Sequence, residues 1–498
     1  MTDLDARDPS DRPDRADLPD PHGRSGFPGS DPVPPSTDYV DQLEAQTKAA
    51  MSSRSHPGSD FAGAPAALHE ALEAEVEAVH DELIELMVDL YKHPEVAFEE
   101  VRSSRAIVDV LAKHGIEAEL GAHGVETAIR AEIRGDQGAG GKGADADADS
   151  DAPAPDDAPA DADADAPVLA VLSEYDALPV VGHGCGHNVI AVMGLGAFLA
   201  LAALAKKDPS AVPGRVVYLG TPAEEGHSGK EVMAAGGAWD GIDAAVMAHP
   251  FGHDVADTAW LGRRTLTVEY HGRTAHASAQ PFMGRNALDA ASLMYQGIGL
   301  LRQQIPPTDR VHAVIREGGD RASVIPDVAR LDLYVRSLAP ETLRDLSQRV
   351  EDVARGAALM TGCGVTVTWD KQPPSLPVRT NGTLTGRWVE AQRRRGRDPL
   401  PRGVVSETLA ASTDFGNVSY RLPGIHPMIR IADPDTALHT REFAKAATSD
   451  RARSAAADGA YGLAASLLDM LHDPELTRAV KDEFEEAGGA IDVPSFFD

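Results

Sequence analysis

Cysteine, histidine and glutamate residues follow four apolar segments of the sequence, each of which is a predicted buried strand. The segments are Val168–Leu172, Arg215–Leu219, Ala244–Met247 and Met428–Ile431, and the residues that follow them are Cys185 and His187, Glu224 and Glu225, His249, and His439. In open α/β sheets, ligands bind outside the carboxyl ends of the strands. We therefore expect these side chains to meet at one edge of a sheet.

Thiolate, imidazole and carboxylate groups are the ligands of a transition-metal centre. Thiolate and imidazole suit zinc, and carboxylate also admits manganese. Cys185 and His187 are two residues apart in a glycine-rich segment, so both can face one ion. In the adjacent pair Glu224-Glu225, one carboxylate can bind metal while the other acts as a general base on water. The sequence therefore predicts a hydrolytic metal centre.

Each of these residues also has an ordinary structural interpretation when it is taken alone. His249 alone favours a buried polar residue, Cys185 alone a packed thiol, and Glu224-Glu225 alone a surface pair. The sequence has no His-Glu-x-x-His motif. A closed structural zinc site is a poorer interpretation, because it needs four ligands and this chain offers five and a spare carboxylate. The prediction depends on the set as a whole.

The composition excludes several classes of function. The 498-residue chain has 46 basic and 78 acidic residues, a net charge of −32, and no basic stripe that could bind nucleic-acid phosphates or an anionic membrane. Its two cysteines exclude a disulfide scaffold and fit a reducing compartment, and no apolar leader is visible at the N-terminus. We expect a cytoplasmic protein that binds neither nucleic acid nor membrane.

One uncharged segment, Val189–Ala205, approaches the length of a membrane span. It follows His187-Asn188 directly and contains Gly194 and Gly196. This context favours a helix buried against a sheet over a membrane span.

The chain is predicted to be an α/β protein with a second, smaller domain inserted. Residues 1–65 are rich in Asp, Pro and Ser and predict a disordered arm. Residues 135–167, with ten Asp, predict a solvated acidic insert between two strands, with an interaction segment as the alternative. The catalytic domain is predicted at 66–261 and 375–473, the inserted domain at 262–374, and a C-terminal tail at 474–498.

The inserted segment has the order β-α-β-β-α-β of a ferredoxin-like domain. Its predicted strands and helices are Thr265–Tyr270, Ala287–Leu301, Val311–Arg316, Ala329–Arg336, Glu341–Leu359 and Val365–Trp369. Because it interrupts the larger domain, this unit is predicted to form a lid over the site.

Six motifs follow one another along the chain. They are Tyr175-Asp-Ala-Leu-Pro179, Gly182-His-Gly-Cys-Gly-His-Asn188, Gly220-Thr-Pro-Ala-Glu-Glu-Gly226, Gly272-Arg-Thr-Ala-His-Ala277, Ser412-Thr-Asp-Phe-Gly-Asn-Val-Ser419 and His439-Thr440. In this order they resemble the amidohydrolase branch of the aminoacylase and carboxypeptidase G-type metallopeptidases, peptidase family M20, over about residues 68–472. Phe415-Gly-Asn417, Gly424-Ile-His-Pro427 and Glu174 resemble the group of aminobenzoyl-glutamate hydrolases and cytosolic dipeptidases.

The resemblance implies a mixed-sheet catalytic domain with a lid that also dimerises, and a centre of two divalent ions, Mn²⁺ or Zn²⁺, with Co²⁺ also possible. The implied metal ligands are Cys185, His187, Glu225, His249 and His439. Glu224 would be the general base, and Asp176 would orient a ligand. His276 would stabilise the oxyanion across a homodimer.

The resemblance also implies substrate contacts. Arg336 would pair with a substrate carboxylate, although a surface strand arginine is an equal alternative. Asn417 is expected to contact substrate as well. Ser323 stands where the family usually has Asn, which leaves the choice of substrate open.

The implied reaction is hydrolysis of an amide bond in a small molecule: an N-acyl amino acid, an aminobenzoyl-glutamate-like conjugate or a dipeptide. The alternative is a catalytically silent metabolite-binding protein on the same fold.

Overall fold

The computed structural model describes residues 36–135 and 166–498. Residues 1–35 of the predicted arm and 136–165 of the predicted acidic insert lie outside the described residues. The chain divides into two units, Met1–Ala49 and Ala50–Asp498. Helix α1 makes up most of the described part of the first unit, and the elements from α2 onward belong to the second.

The helices and strands are numbered in chain order. The helices are α1 (Asp38–Met51), α2 (Ala66–Lys92), α3 (Val101–Lys113), α4 (His187–Lys207), α5 (Glu224–His227), α6 (Gly229–Ala235), α7 (Ala287–Leu301), α8 (Pro340–Thr361), α9 (Gly382–Arg394), α10 (Phe415–Ser419), α11 (Arg441–Ala446), α12 (Asp450–His472) and α13 (Pro474–Glu486). The strands are β1 (Ala118–Leu120), β2 (Ile129–Arg134), β3 (Val168–Ser173), β4 (Arg215–Gly220), β5 (Ala244–Val246), β6 (His249–Phe251), β7 (Gly262–His271), β8 (Arg310–Glu317), β9 (Val328–Ser337), β10 (Gly364–Trp369), β11 (Gly424–Ile425) and β12 (Met428–Arg430).

The larger domain is built on a six-stranded sheet in the order β1-β2-β4-β3-β5-β11. Strand β3 is parallel to β4 and β5, and β11 is parallel to β5. Strands β1 and β2 form an antiparallel edge. Every residue of β3 is buried, as expected of a central strand covered on both faces. The predicted mixed-sheet α/β fold is confirmed.

Helix α4 packs on β3 and lies against helices α2 and α12. Of the described helices, it alone is long and apolar enough to cross a membrane, and 89% of its most apolar window is buried inside the protein. The prediction of a buried helix at Val189–Ala205 is confirmed. Because α4 starts at His187, it also fixes one residue of the predicted centre.

The lid is a four-stranded antiparallel sheet in the order β10-β7-β9-β8. Helices α7 and α8 cover one face and enclose a core of their own, which runs from Leu266 to Ala358. The predicted β-α-β-β-α-β order is confirmed. The opposite face of this sheet is free of helices of the lid, and part of it lines the cleft described below.

The prediction that Met428–Ile431 extends the main sheet is wrong. Strand β12 pairs with β6 in a separate two-stranded parallel sheet, whereas β11 pairs with β5 in the main sheet. The same two chain segments therefore pair twice, with a break between. Pro427 lies in that break, where it cannot donate to a ladder. The break turns β6, and with it His249, out of the main sheet.

The prediction of disorder up to residue 65 is wrong for its last part. Residues 38–51 form helix α1, and the chain before α2 is held by polar contacts to buried side chains. The backbone N–H of Ala64 donates to Asp469 (2.7 Å), and Arg387 donates to the carbonyl of Phe61 (2.7 Å). These bonds order a segment whose few apolar residues predict no core.

The predicted tail, 474–498, is folded. It begins with helix α13, and the N–H of Ile491 donates to the carbonyl of Tyr420 (2.9 Å). Phe497 then packs on the core of the lid. The guanidinium of Arg264 lies between the rings of Trp369 and Phe497, at 4.3 and 4.2 Å from their centroids. The C-terminal segment therefore connects the two domains.

Candidate metal centre

The loop before α4 places Cys185 and His187 beside strand β6. Gly186, between them, has a left-handed backbone (φ 83°), and a Cβ there would come within 2.6 Å of the Pro250 ring. Only glycine allows this close approach without strain. As a result Cys185 Sγ lies 3.5 Å from Nε2 of His249.

Three overlapping groups of side chains place one ligand atom of each member within 4.8 Å of the others. The groups are Cys185, His187 and His249; Cys185, Glu225 and His439; and His187, Glu224 and Glu225. Cys185, His187 and Glu225 each belong to two groups. The structure thus brings together all five predicted ligands and the predicted base.

Asp176 orients His187. Its Oδ1 lies 3.0 Å from Nδ1 of His187, and its Oδ2 accepts a hydrogen bond from the backbone N–H of Glu225 (2.9 Å). Burial opposes the charged form, but His187 and these hydrogen bonds hold the pKa of Asp176 below its usual range. A carboxylate on one ring nitrogen of a histidine leaves the other nitrogen for a metal.

The donor set fits a transition-metal ion. His187 Nε2 and Glu225 Oε1 are buried, and neither has a hydrogen-bond partner among the described residues. Leaving such an atom unpaired costs about 1–3 kcal/mol, so a ligand for both is expected. His439 Nε2 lies 3.5 Å from Glu225 Oε1. Thiol, imidazole and carboxylate are the donors that zinc and manganese accept.

Glu224 lies beside His187, with 3.8 Å between its Oε2 and Nε2 of the histidine. Burial raises its pKa, and the neighbouring carboxylates, Glu174 first, raise it further. Ala223, just before it, has a left-handed backbone (φ 60°). Its N–H is bound by Oε1 of the buried Glu100 (2.9 Å). Glu100 therefore supports the turn that presents Glu224.

A buried triad that the sequence analysis missed lies behind the centre. The ammonium of Lys230 is fully buried and pairs with Asp414 (2.6 Å) and with Glu174. Oε2 of Glu174 lies 3.5 Å from Nε2 of His187. The available signal was chemical: two carboxylates in motif positions need a cation when they are buried, and Lys230 is the basic residue in the loop after Glu224-Glu225.

A cleft of about 590 Å³ separates the centre from the lid. Cys185, the two glutamates, His249 and His439 line one side. The lid contributes Arg263, Arg310, His312, Tyr334 and Arg336 to the other side. Arg336, predicted to contact substrate, thus faces the centre across the cleft, whereas Arg263 and Arg310 were missed.

His276 and Ser323 are exposed on the lid and do not line this cleft. They lie together, because the N–H of Ala277 donates to the carbonyl of Ser323 (3.0 Å). Nδ1 of His276 accepts from the backbone N–H of Ala279 (3.1 Å). The ring proton is therefore on Nε2, which is free to donate. Within one chain these two residues are separated from the centre.

The prediction that Asn417 contacts substrate is wrong. Its side chain is 1% exposed. Oδ1 accepts from the N–H of Leu376 (2.7 Å), and Nδ2 donates to Glu231 (2.9 Å) and to the carbonyl of Pro374 (2.8 Å). The amide is fully used in fixing the chain where it returns from the lid to the larger domain.

Comparison with known proteins agrees with this geometry. The sequence profile of peptidase family M20/M25/M40 matches residues 170–455. The chain is 39% identical over 317 residues to the Xaa-Arg dipeptidase of Mus musculus, covering 64% of this chain and 73% of that one. It is 26% identical to one of the chains of the p-aminobenzoyl-glutamate hydrolase of Escherichia coli, covering 84% and 95% of the two sequences.

Solved structures share the fold. A dinuclear metal-binding peptidase of Bacillus subtilis superposes with a TM-score of 0.57 at 21% identity, covering 79% of this chain and 99% of that one. An aminohydrolase from methicillin-resistant Staphylococcus aureus gives a TM-score of 0.61 at 19% identity, with the same coverage. By sequence profile, relatives and fold, this chain belongs to peptidase family M20/M25/M40 and is a metal-dependent hydrolase of peptide or amide bonds.

Proposed function

We propose that the protein hydrolyses the amide bond of a small molecule: an N-acyl amino acid, an aminobenzoyl-glutamate-like conjugate or a dipeptide. The observation that carries this proposal is the meeting of Cys185, His187, Glu225 and His249 with Glu224 on one side of an open cleft. The relatives named above act on substrates of two of these kinds.

The cofactor is two divalent ions, Mn²⁺ or Zn²⁺, with Co²⁺ as a further candidate. The proposed ligands are Cys185, His187, Glu225, His249 and His439. The sharing of Cys185 and Glu225 between groups supports two ions held close together. Bound there, the ions would polarise the substrate carbonyl and acidify a water molecule.

Glu224 is the proposed general base. It accepts the proton of the attacking water and then transfers that proton to the leaving nitrogen, so the C–N bond breaks to give a carboxylic acid and an amine. Its position beside His187, one residue before a proposed ligand, supports this role. Asp176 keeps His187 oriented throughout.

His276 is proposed to donate from Nε2 to the oxyanion in a second copy of the chain, which makes the working enzyme a homodimer. Its exposure on the lid, its distance from the cleft of its own chain, and the proton on Nε2 support this arrangement. The proposed location is cytoplasmic, because both cysteines are free and Cys185 must stay reduced to bind metal.

Replacement of the base tests the function. Metal-loaded Glu224→Gln protein should keep its metal content and lose about 10²–10⁴-fold in kcat, the usual contribution of a general base. Amine release from N-acetyl amino acids, aminobenzoyl-glutamate and dipeptides measures kcat, and elemental analysis measures metal.

The matched control is Glu407→Gln. Glu407 lines the same cleft but pairs with Arg402 (2.8 Å), so its loss should leave kcat within a few-fold of wild type. Near-native turnover of the Glu224 variant would remove Glu224 from the mechanism.

A further inference from the structure

Three arginines form a row across the lid sheet. Arg263 on β7 is the register partner of Arg336 on β9, and Arg336 is in turn the partner of Arg310 on β8. Side chains in register on neighbouring strands lie on the same face of a sheet. All three line the cleft, on the side opposite the metal centre.

The row has no counter-charge within the described part of the chain. None of the three guanidinium groups takes part in an ion pair there. Arg263 donates to the hydroxyl of Ser228 (3.0 Å), and Arg310 donates to the carbonyls of Pro307 and Asp309. The guanidinium of Arg336 lies 5.1 Å from the centroid of the Tyr334 ring and has no hydrogen bond among the described residues.

Like charges directly opposite on adjacent strands destabilise a sheet, and a buried charge needs a partner. Arg263 is only 6% exposed. The mutual repulsion is evident at Arg336, whose pKa is lowered by burial and then by Arg263. On the same face, the pKa of His312 is lowered by burial and by Arg302, Arg336 and Arg310. Such a row is an anion-binding surface.

The width of the row indicates more than one anionic group. Neighbouring strands are about 4.8 Å apart, so the outer two arginines start from strands roughly 10 Å apart. A single carboxylate is paired by one or two guanidinium groups. Arg263 lies at the inner end, next to the loop that follows Glu225, since its Nη1 is 3.7 Å from where a Cβ of Gly226 would be.

We propose that the row selects substrates whose amine half is an amino-dicarboxylic acid. Arg263 and Arg336 bind the α-carboxylate next to the scissile nitrogen, and Arg310 binds the side-chain carboxylate farther out. This specificity rests on the proposed amide hydrolysis, whereas anion binding by the row does not.

A basic amine half is disfavoured by the same geometry. The described carboxylates that line the cleft are Glu224 and Glu225 in the metal centre and Glu407, which pairs with Arg402. An arginine or lysine side chain placed along the row would meet only like charge. The name of the Xaa-Arg dipeptidase relative therefore does not extend to the substrate of this chain.

The first test compares amine halves of equal size. Metal-loaded protein is given N-acetyl-glutamate, N-acetyl-glutamine and N-acetyl-arginine, and amine release is measured. The glutamine compound keeps the shape and loses only the outer charge. We expect kcat/KM for the glutamate compound to exceed that for glutamine at least 30-fold and that for arginine at least 100-fold. Equal or better cleavage of the glutamine or arginine compound would overturn the proposal.

Arg310→Gln isolates the outer position. It should lower kcat/KM for the glutamate compound at least tenfold and change the value for the glutamine compound less than threefold. Arg310→Lys should restore part of the difference. Arg316→Gln is the matched control, because Arg316 lies on the same strand, pairs with Asp332 (3.4 Å) and does not line the cleft. An equal loss on both substrates would contradict the assignment of Arg310.

A binding measurement separates this inference from the proposed function. Calorimetric titration with free glutamate, glutamine and arginine should give binding in the order glutamate, glutamine, arginine, and Arg310→Gln should remove the preference for glutamate. If no amide is cleaved but this preference is present, the row stands and the proposed hydrolysis fails. If glutamate shows no preference, the row is not a dicarboxylate site, whatever the protein hydrolyses.

Discussion

At the scale of single residues, the site is notable for how much charge lies behind it. Lys230 pairs with Glu174 and Asp414 away from solvent, and Glu174 touches the nitrogen of His187 proposed to bind metal. Neutralising Glu174 on one side keeps a carboxylate near His187 without leaving it unpaired. The triad therefore positions the back of the centre.

Removing the cation should be costly. Lys230→Met leaves two buried carboxylates unpaired and is expected to lower the free energy of unfolding by about 3–5 kcal/mol. Chemical unfolding followed by circular dichroism measures it. Lys481→Met is the control, since its pair with Asp243 (2.7 Å) is half exposed and should change stability by less than about 1 kcal/mol. Similar losses in the two variants would contradict the importance of the triad.

At the scale of elements, the loops rather than the strands determine the chemistry. The turn after β4 contains two left-handed non-glycine residues, Ala223 (φ 60°) and Ser228 (φ 54°). Such conformations cost energy and persist where the surroundings fix them. Glu100 fixes this one: it accepts hydrogen bonds from the N–H groups of Ala223 and Phe98 and from the hydroxyl of Thr127.

Glu100 should give stability a pH dependence. Burial, and then Asp176, raise its pKa to about 7 from 4.5. A carboxyl whose pKa is raised on folding stabilises the fold fully below pH 4.5, and this contribution is lost as the pH rises through 7. In metal-free protein the loss should reach about 3 kcal/mol.

Glu100→Gln removes this titration. The variant should lose stability relative to wild type at pH 5 and recover relative to it at pH 7.5, as measured by urea unfolding at both values. The exposed Glu126, changed to Gln, is the control for general effects of charge. A difference between wild type and the Glu100 variant that is the same at both pH values would show that Glu100 does not titrate in this range.

At the scale of the whole molecule, the cleft is formed by two domains and is proposed to be completed by a second copy. The lid arginines face the metal centre within one chain, but His276 does not. The C-terminal segment links the domains through Phe497 and Arg264, so the lid is held by more than its two connections to the larger domain.

Mixing inactive variants tests the contribution in trans. Each of His276→Ala and Glu224→Gln alone should have little activity. After chains are exchanged in equal amounts, half of the dimers are mixed and each has one intact site, which should restore about a quarter of wild-type turnover. Exchange is verified with differently tagged chains. Absence of recovery in verified mixed dimers would place His276 in its own chain's site or outside catalysis.

The sequence by itself determined the order of elements and the chemistry of the centre. Helix α7 has its predicted bounds, and the predicted ligands meet, because apolar periodicity and residues at strand ends are local signals. The arginine row, the Lys230 triad and the burial of Asn417 were decided only by tertiary structure. Cross-strand register and the pairing of buried charges join residues far apart in sequence, such as Arg263 and Arg336, and no local pattern specifies which of them will share a face or a partner.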